Sequence, residues 1–95
     1  MRKLLLAFIE IHILHHASKD PIYGSWMIDE LKHHGYEVSA GTIYPIFHNL
    51  EAGGLLTCEV RNVGGKNRKY YSITEDGREV LAKAKEKIKE LTHEL

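Results

Sequence analysis

Seven histidines stand among 95 residues, and three of them, His12, His15 and His16, fall at spacings of three and four. On a helix that spacing places two imidazoles on one face, where they can offer nitrogen ligands to a transition metal. Glu10 is close in sequence, but no Asp or Cys stands nearby to complete the set. His33 and His34 close a second helical stretch, where a cation is favoured by the helix dipole. Solvent-exposed or interfacial histidines are the simpler reading, so the sequence assigns no metal and no cofactor. Cys58 is the only cysteine, which excludes an internal disulfide framework and a Cys-only zinc site. There is no nucleophile–base pair in a recognisable setting, no phosphate-cradling glycine loop and no facing carboxylate pair. The chain reads as a non-enzyme.

A second chemistry is carried by cations. From Arg61 to Lys69 the chain holds Arg61, Lys66, Arg68 and Lys69 without an acid, interleaved with Asn62 and Asn67. Cations on a projecting hairpin reach phosphates or a groove edge. Upstream, Ser39, Thr42, Tyr44, His48 and Asn49 precede the first carboxylate, Glu51. A helix bearing them approaches phosphates without repulsion, and its hydroxyls and amide suit base edges. The plainer alternative is a solvated hairpin, with edge lysines that discourage aggregation, beside a neutral polar face.

The elements that must position these groups follow from periodicity. Residues 3–17 contain no Gly or Pro and are apolar most of the way round, which predicts a helix buried on two sides. Asp20 and Pro21 suit the cap and first position of a second helix over 21–34, ended by Gly35. Tyr36-Glu37-Val38 reads as a short strand. Ile43, Ile46, Phe47 and Leu50 give a third helix, over 40–52, one apolar face. Its cap is Ser39 or Thr42, and Pro45 predicts a kink or a tight first turn. Strands are expected over 55–63 and 67–73, joined through Gly64-Gly65. Their inward phase includes Cys58, Tyr71 and Ile73. Thr74 caps a last helix, with Glu75 and Asp76 placed well for its dipole. Trp26 is read as core, with the lining of a small cavity at the dimer interface as the alternative. The fold class is α+β, mostly α: a winged helix-turn-helix over 1–74 and a C-terminal dimerisation helix over 75–95.

The formal net charge of zero conceals a gradient. Residues 40–74 carry four cations against Glu51 and Glu59, and the segments on either side are each one charge negative. A neutral total therefore does not exclude nucleic acid. Nothing approaches the ~18 apolar residues of a membrane span, no targeting segment is visible, and a cytoplasmic location is expected.

Leu81, Ala84, Ile88, Leu91 and Leu95 recur at three and four, a heptad seam on a helix of roughly 31 Å. That is long for so small a body; the plainer alternative is a helix folded back onto the first helix of its own chain. With Leu5, Phe8 and Ile9 of the first helix, these residues are the expected dimer interface. A two-fold dimer presents two third helices to major-groove half-sites roughly 34 Å apart, hence a pseudo-palindromic operator.

The run from Ser39 to Leu56, with Gly41-Thr42-Ile43-Tyr44-Pro45 at its centre, resembles the recognition-helix signature of PadR-like transcriptional regulators. Gly64 to Gly77, containing Arg68-Lys69-Tyr70-Tyr71, resembles their wing and the start of their last helix, and Tyr23-Gly24 their second-helix opening. The likeness covers nearly the whole chain. It implies a dimeric, winged-helix protein that binds double-stranded DNA, usually as a repressor, with a small hydrophobic effector as a further partner. It places Ser39, Thr42, Tyr44 and His48 in the recognition helix and Lys66, Arg68 and Lys69 in the wing. Where the family's wing often reads Gly-Arg-Pro-Arg, this chain has Gly65-Lys66-Asn67-Arg68. Many relatives carry a larger C-terminal helical domain; here a single helix is expected. A winged-helix protein-interaction module and a metal- or small-molecule-responsive regulator stand as alternatives.

Overall fold

The computed structural model describes residues 1–95. In chain order the elements are α1 (Arg2–Ala17), α2 (Gly24–His33), α3 (Ala40–Ala52), β1 (Leu56–Val63), β2 (Lys66–Ile73) and α4 (Glu75–Glu94). This is the mostly helical winged helix-turn-helix that the sequence predicts, with the last helix present. One core unites the elements: Ile9, Ile13 and Leu14 of α1, Met27 and Leu31 of α2, Ile43, Phe47 and Leu50 of α3, Leu56 and Tyr71 of the hairpin, and Leu81 of α4.

The hairpin is antiparallel, from Leu56 opposite Ile73 to Val63 opposite Lys66. Its two-residue turn needs positive φ at both positions, and Gly64 and Gly65 supply it at 59° and 83°. α4 starts as expected, with the Thr74 hydroxyl accepting from the Gly77 N–H at 3.0 Å. α3 starts at Ala40, so Pro45 lies within the helix. The first turn is tight, because the Ser39 carbonyl accepts from both Thr42 and Ile43.

Three expectations are corrected. α2 begins at Gly24, not Pro21. The cause is long-range: Ile22 exchanges backbone hydrogen bonds of 2.9 and 2.7 Å with Tyr71, which holds it extended. The short strand is therefore this one-residue bridge at Ile22. Tyr36–Val38 forms no ladder. Trp26 is not core; it is 39% exposed, at the edge of α2 beside His16 of α1.

Tyr71 anchors the base of the hairpin, fully buried, with its ring stacked on Phe47 at a centroid distance of 4.5 Å. Its hydroxyl has no hydrogen-bond partner. Burial first, and then Cys58 beside it, pushes the phenol up to about 12. Tyr71→Phe is therefore expected to leave stability unchanged or to raise it by up to about 1 kcal/mol. In the wild type the unfolded phenol ionises near pH 10 while the folded one keeps its proton. Stability contributed by this group then falls as pH rises from about 10 towards 12. Urea unfolding across this alkaline range should show a flatter decline for the phenylalanine variant.

Candidate nucleic-acid interface

Burial of Ile43, Ile46, Phe47 and Leu50 fixes the rotation of α3 and turns Tyr44, His48 and Asn49 outward. The Ile22–Tyr71 bridge ties the wing to the start of α2. A cleft of about 460 Å³ opens where the three parts meet. Tyr44 and His48 come from α3, Asn67, Arg68 and Lys69 from the wing, and Tyr23, Gly24 and Ser25 from the start of α2. Two fixed cations line it and no carboxylate does. The unpaired N–H groups of the first turn of α2 add to its positive character.

Local geometry sets each side chain. The Tyr44 ring lies against the α2 backbone, and a Cβ on Gly24 would stand 2.6 Å from it. Arg68 lies over the Tyr23 ring, 4.1 Å from its centroid, and Tyr23 meets Tyr70 edge-on at 5.4 Å. Arg61 stands directly opposite Arg68 in the ladder, a repulsive pairing taken alone. The two guanidiniums separate onto different tyrosines: Arg61 lies 4.6 Å over Tyr70 and donates to the Glu59 carboxylate at 3.1 and 3.3 Å. Across the tip, the Asn62 amide donates to Asn67 at 3.4 Å.

Five of the ten expected nucleic-acid contacts thus share one cleft: Tyr44, His48, Asn67, Arg68 and Lys69. Asn49 is exposed on α3, and Lys66 is exposed beside the hairpin turn. Ser39 lies at the start of α3, in a hollow beside Asp29 and Lys32. Thr42 is half-buried and faces a hollow that includes Arg2, Leu5 and Val38. Arg61 is occupied by Glu59, two residues before the acid-free run that drew attention to it. Sequence reasoning missed Tyr23, Gly24 and Ser25 as cleft walls. The Tyr23-Gly24 pair was the available signal, since a glycine at a helix start admits a neighbouring ring.

Of the expected dimer residues, Leu5, Phe8, Ile88, Leu91 and Leu95 are exposed, and Leu4 extends the α1 stripe. Ile9 and Leu81 are 3% and 5% exposed. They belong to the core of their own chain and have little surface left for a partner. Ala84 is half-buried, and every residue after it is exposed.

The histidines are grouped differently from the sequence spacing. His12 and His16 of α1 meet His34, the residue after α2, while His15 stands outside the group. Glu30, which sequence spacing did not bring in, reaches both His34 and His16. Burial first, and then His34 and His16, holds His12 below the ordinary histidine value. His16 is lowered by burial against the opposing pull of Glu30.

Residues 13–83 match the model of the transcriptional regulator PadR-like family. The chain is 44% identical over 95 residues to transcriptional regulator Rv3488 of Mycobacterium tuberculosis, covering all of this chain and 89% of that protein. Its fold is similar to the crystal structure of a PadR-like transcription factor from Bacteroides fragilis. That likeness has a TM-score of 0.86 and 31% identity, over 97% of this chain and 90% of that one. A PadR-like transcriptional regulator from Bacillus cereus gives a TM-score of 0.86 at 30% identity, over 96% and 90% of the two chains. No helix is long and apolar enough to cross a membrane.

Proposed function

From the premise that this chain belongs to the PadR-like family of transcriptional regulators, which are DNA-binding proteins and not enzymes, we propose that it represses transcription as a homodimer on a pseudo-palindromic operator. The observation that carries this reading is the acid-free cleft in which α3, the start of α2 and the wing converge. α3 enters the major groove, with Tyr44, His48 and Asn49 towards base edges. Arg68 and Lys69 hold the flanking phosphate backbone, and the Tyr23 ring orients the Arg68 guanidinium at the cleft wall. Lys66, beside the hairpin turn, reaches the next stretch of backbone. Arg61, paired with Glu59, contributes least of the four wing cations.

Two apolar stripes support the homodimer. Leu4, Leu5 and Phe8 line α1, and Ile88, Leu91 and Leu95 line the half of α4 that contributes nothing to the core. A second copy covers both. Closing a two-fold across these stripes sets two α3 helices on one side, about one helical turn of DNA apart.

The test is DNA binding as a function of salt. Lys69→Ala should weaken binding to every sequence similarly and reduce the slope of log affinity against log salt by about 1. Asn49→Ala should instead relax discrimination at one operator position, by roughly 1–3 kcal/mol. A salt slope unchanged by Lys69→Ala and Arg68→Ala together would remove the wing from the interface. Failure to select any genomic fragment would favour a protein partner for the same surface.

A further inference from the structure

Outside the cleft, the structure brings together ligand groups that the DNA-binding reading does not use. The imidazoles of His12, His16 and His34 each offer a nitrogen, and all three donors lie within 4.8 Å of one another. The Glu30 carboxylate stands beside two of them, just outside the three-histidine group: its Oε2 lies 3.0 Å from His34 Nε2 and 3.5 Å from His16 Nε2. His12 and His16 are one helical turn apart on rigid α1, the i, i+4 pairing that puts two imidazoles on one face. His34 is held by the C-terminal end of α2, where Gly35, at φ 86°, lets the Tyr36 N–H return to the Leu31 carbonyl at 2.9 Å.

We propose that His12, His16, His34 and Glu30 form a binding site for a zinc-like divalent transition-metal ion, one per chain. Three imidazoles and a carboxylate are a donor set that such ions take in tetrahedral geometry. Zinc–nitrogen bonds of about 2.0–2.1 Å place donors about 3.3 Å apart. Among the three imidazoles the widest separation closes with a swing of roughly 0.8 Å per donor, within the reach of side-chain rotation, and Glu30 turns in from beside His16 and His34 as the fourth donor. Tyr36 packs edge-on against His12 at 5.4 Å, and Trp26 edge-on against His16 at 5.4 Å. These two rings shield the site from two sides and restrict the imidazoles before any ion arrives.

The ion links α1 to the end of α2. α1 carries the apolar stripe assigned above to the partner copy, and α2 forms one wall of the cleft. Metal binding therefore fixes the orientation of the cleft relative to the dimer and changes operator affinity. This regulatory part rests on the DNA-binding reading; the binding site itself does not.

The experiment uses untagged, chelator-treated protein without DNA. Zn(II) is titrated by calorimetry, and the fluorescence of Trp26, the only tryptophan, is followed in parallel. One ion per chain, a fluorescence change saturating at the same ratio, and a melting temperature raised by roughly 10 °C at a hundredfold excess over Kd are expected. Mg(II) should do none of this, because it prefers oxygen donors. His16→Ala and, at the more exposed end, His34→Gln should each weaken zinc binding by roughly a hundredfold or more. His15→Ala and His93→Ala should leave it unchanged, and circular dichroism checks that every variant is folded. Absence of stoichiometric binding by the folded wild type would overturn the site. So would binding that survives His34→Gln but is lost with His15→Ala. Operator affinity is then measured with and without Zn(II). Equal affinities alongside intact metal binding would overturn the regulatory part alone.

Discussion

Replacing Phe8 and Leu91 by glutamate is expected to convert the protein to a monomer and to weaken binding to a full operator by roughly a hundredfold to ten-thousandfold. The two side chains are 39% and 56% exposed, so the substitutions leave the core untouched. What they remove is exposed apolar area that the proposed second copy would cover, and what they add is charge placed against charge across the proposed two-fold. The large effect on DNA arises because two linked half-site contacts become one. Binding to an isolated half-site should hardly change, and this separates loss of dimerisation from damage to the cleft. Light scattering at micromolar concentration reads the mass, and gel retardation on full and half operators reads the affinities. A variant that remains a dimer would place the interface elsewhere on the surface.

Gly77→Ala is expected to destabilise the fold by about 3 kcal/mol or more, a large share of the stability of a domain this small. Helix propensity alone argues the opposite: alanine for glycine inside a helix is worth up to about 1 kcal/mol in favour of alanine. The sign of the measured change therefore decides between the two effects. Gly77 is the third residue of α4 and is buried against the turn that leads into β1. A Cβ there would fall on the Leu55 carbonyl oxygen and within 2.7 Å of Ile73 Cγ1. Neither neighbour gives way easily, because the Leu55 carbonyl accepts from the Thr74 N–H at 3.1 Å and the Thr74 hydroxyl donates to the Gly54 carbonyl at 2.6 Å. The same junction places α4 relative to the wing. Urea denaturation gives the stability, and a midpoint equal to or above that of the wild type would sink this account.

Much of the molecule was legible in the residues. Spacings of three and four fixed the exposed face of α3 and so turned Tyr44, His48 and Asn49 outward. Gly64-Gly65 set the hairpin turn, Thr74 set the start of α4, and the cations of the wing stood in an acid-free run. All of these are properties of short segments, in which backbone preference and periodicity act over a few residues. The motif around Gly41-Thr42-Ile43-Tyr44-Pro45, with Arg68-Lys69-Tyr70-Tyr71, pointed to the family for the same reason: it is a local pattern.

What the spacing left undecided depends on which distant element meets a given face. Ile22 is extended because Tyr71 supplies both of its backbone partners, and nothing in Asp20-Pro21-Ile22 reveals that. Ile9 and Leu81 have the same apolar signature as Phe8 and Leu91, yet one pair closes the core and the other faces outward. Arg61 sits in a basic run but turns to Glu59, and His15 sits between two clustered histidines' positions yet stands outside their group. His34 joins His12 and His16 only because α1 and α2 cross with those ends together. The sequence determined the elements, their faces and the basic wing. Tertiary packing alone decided which faces were consumed by the core and which side chains were left exposed for the proposed contacts with DNA, a partner copy or a metal, because burial is settled by long-range contact rather than by local spacing.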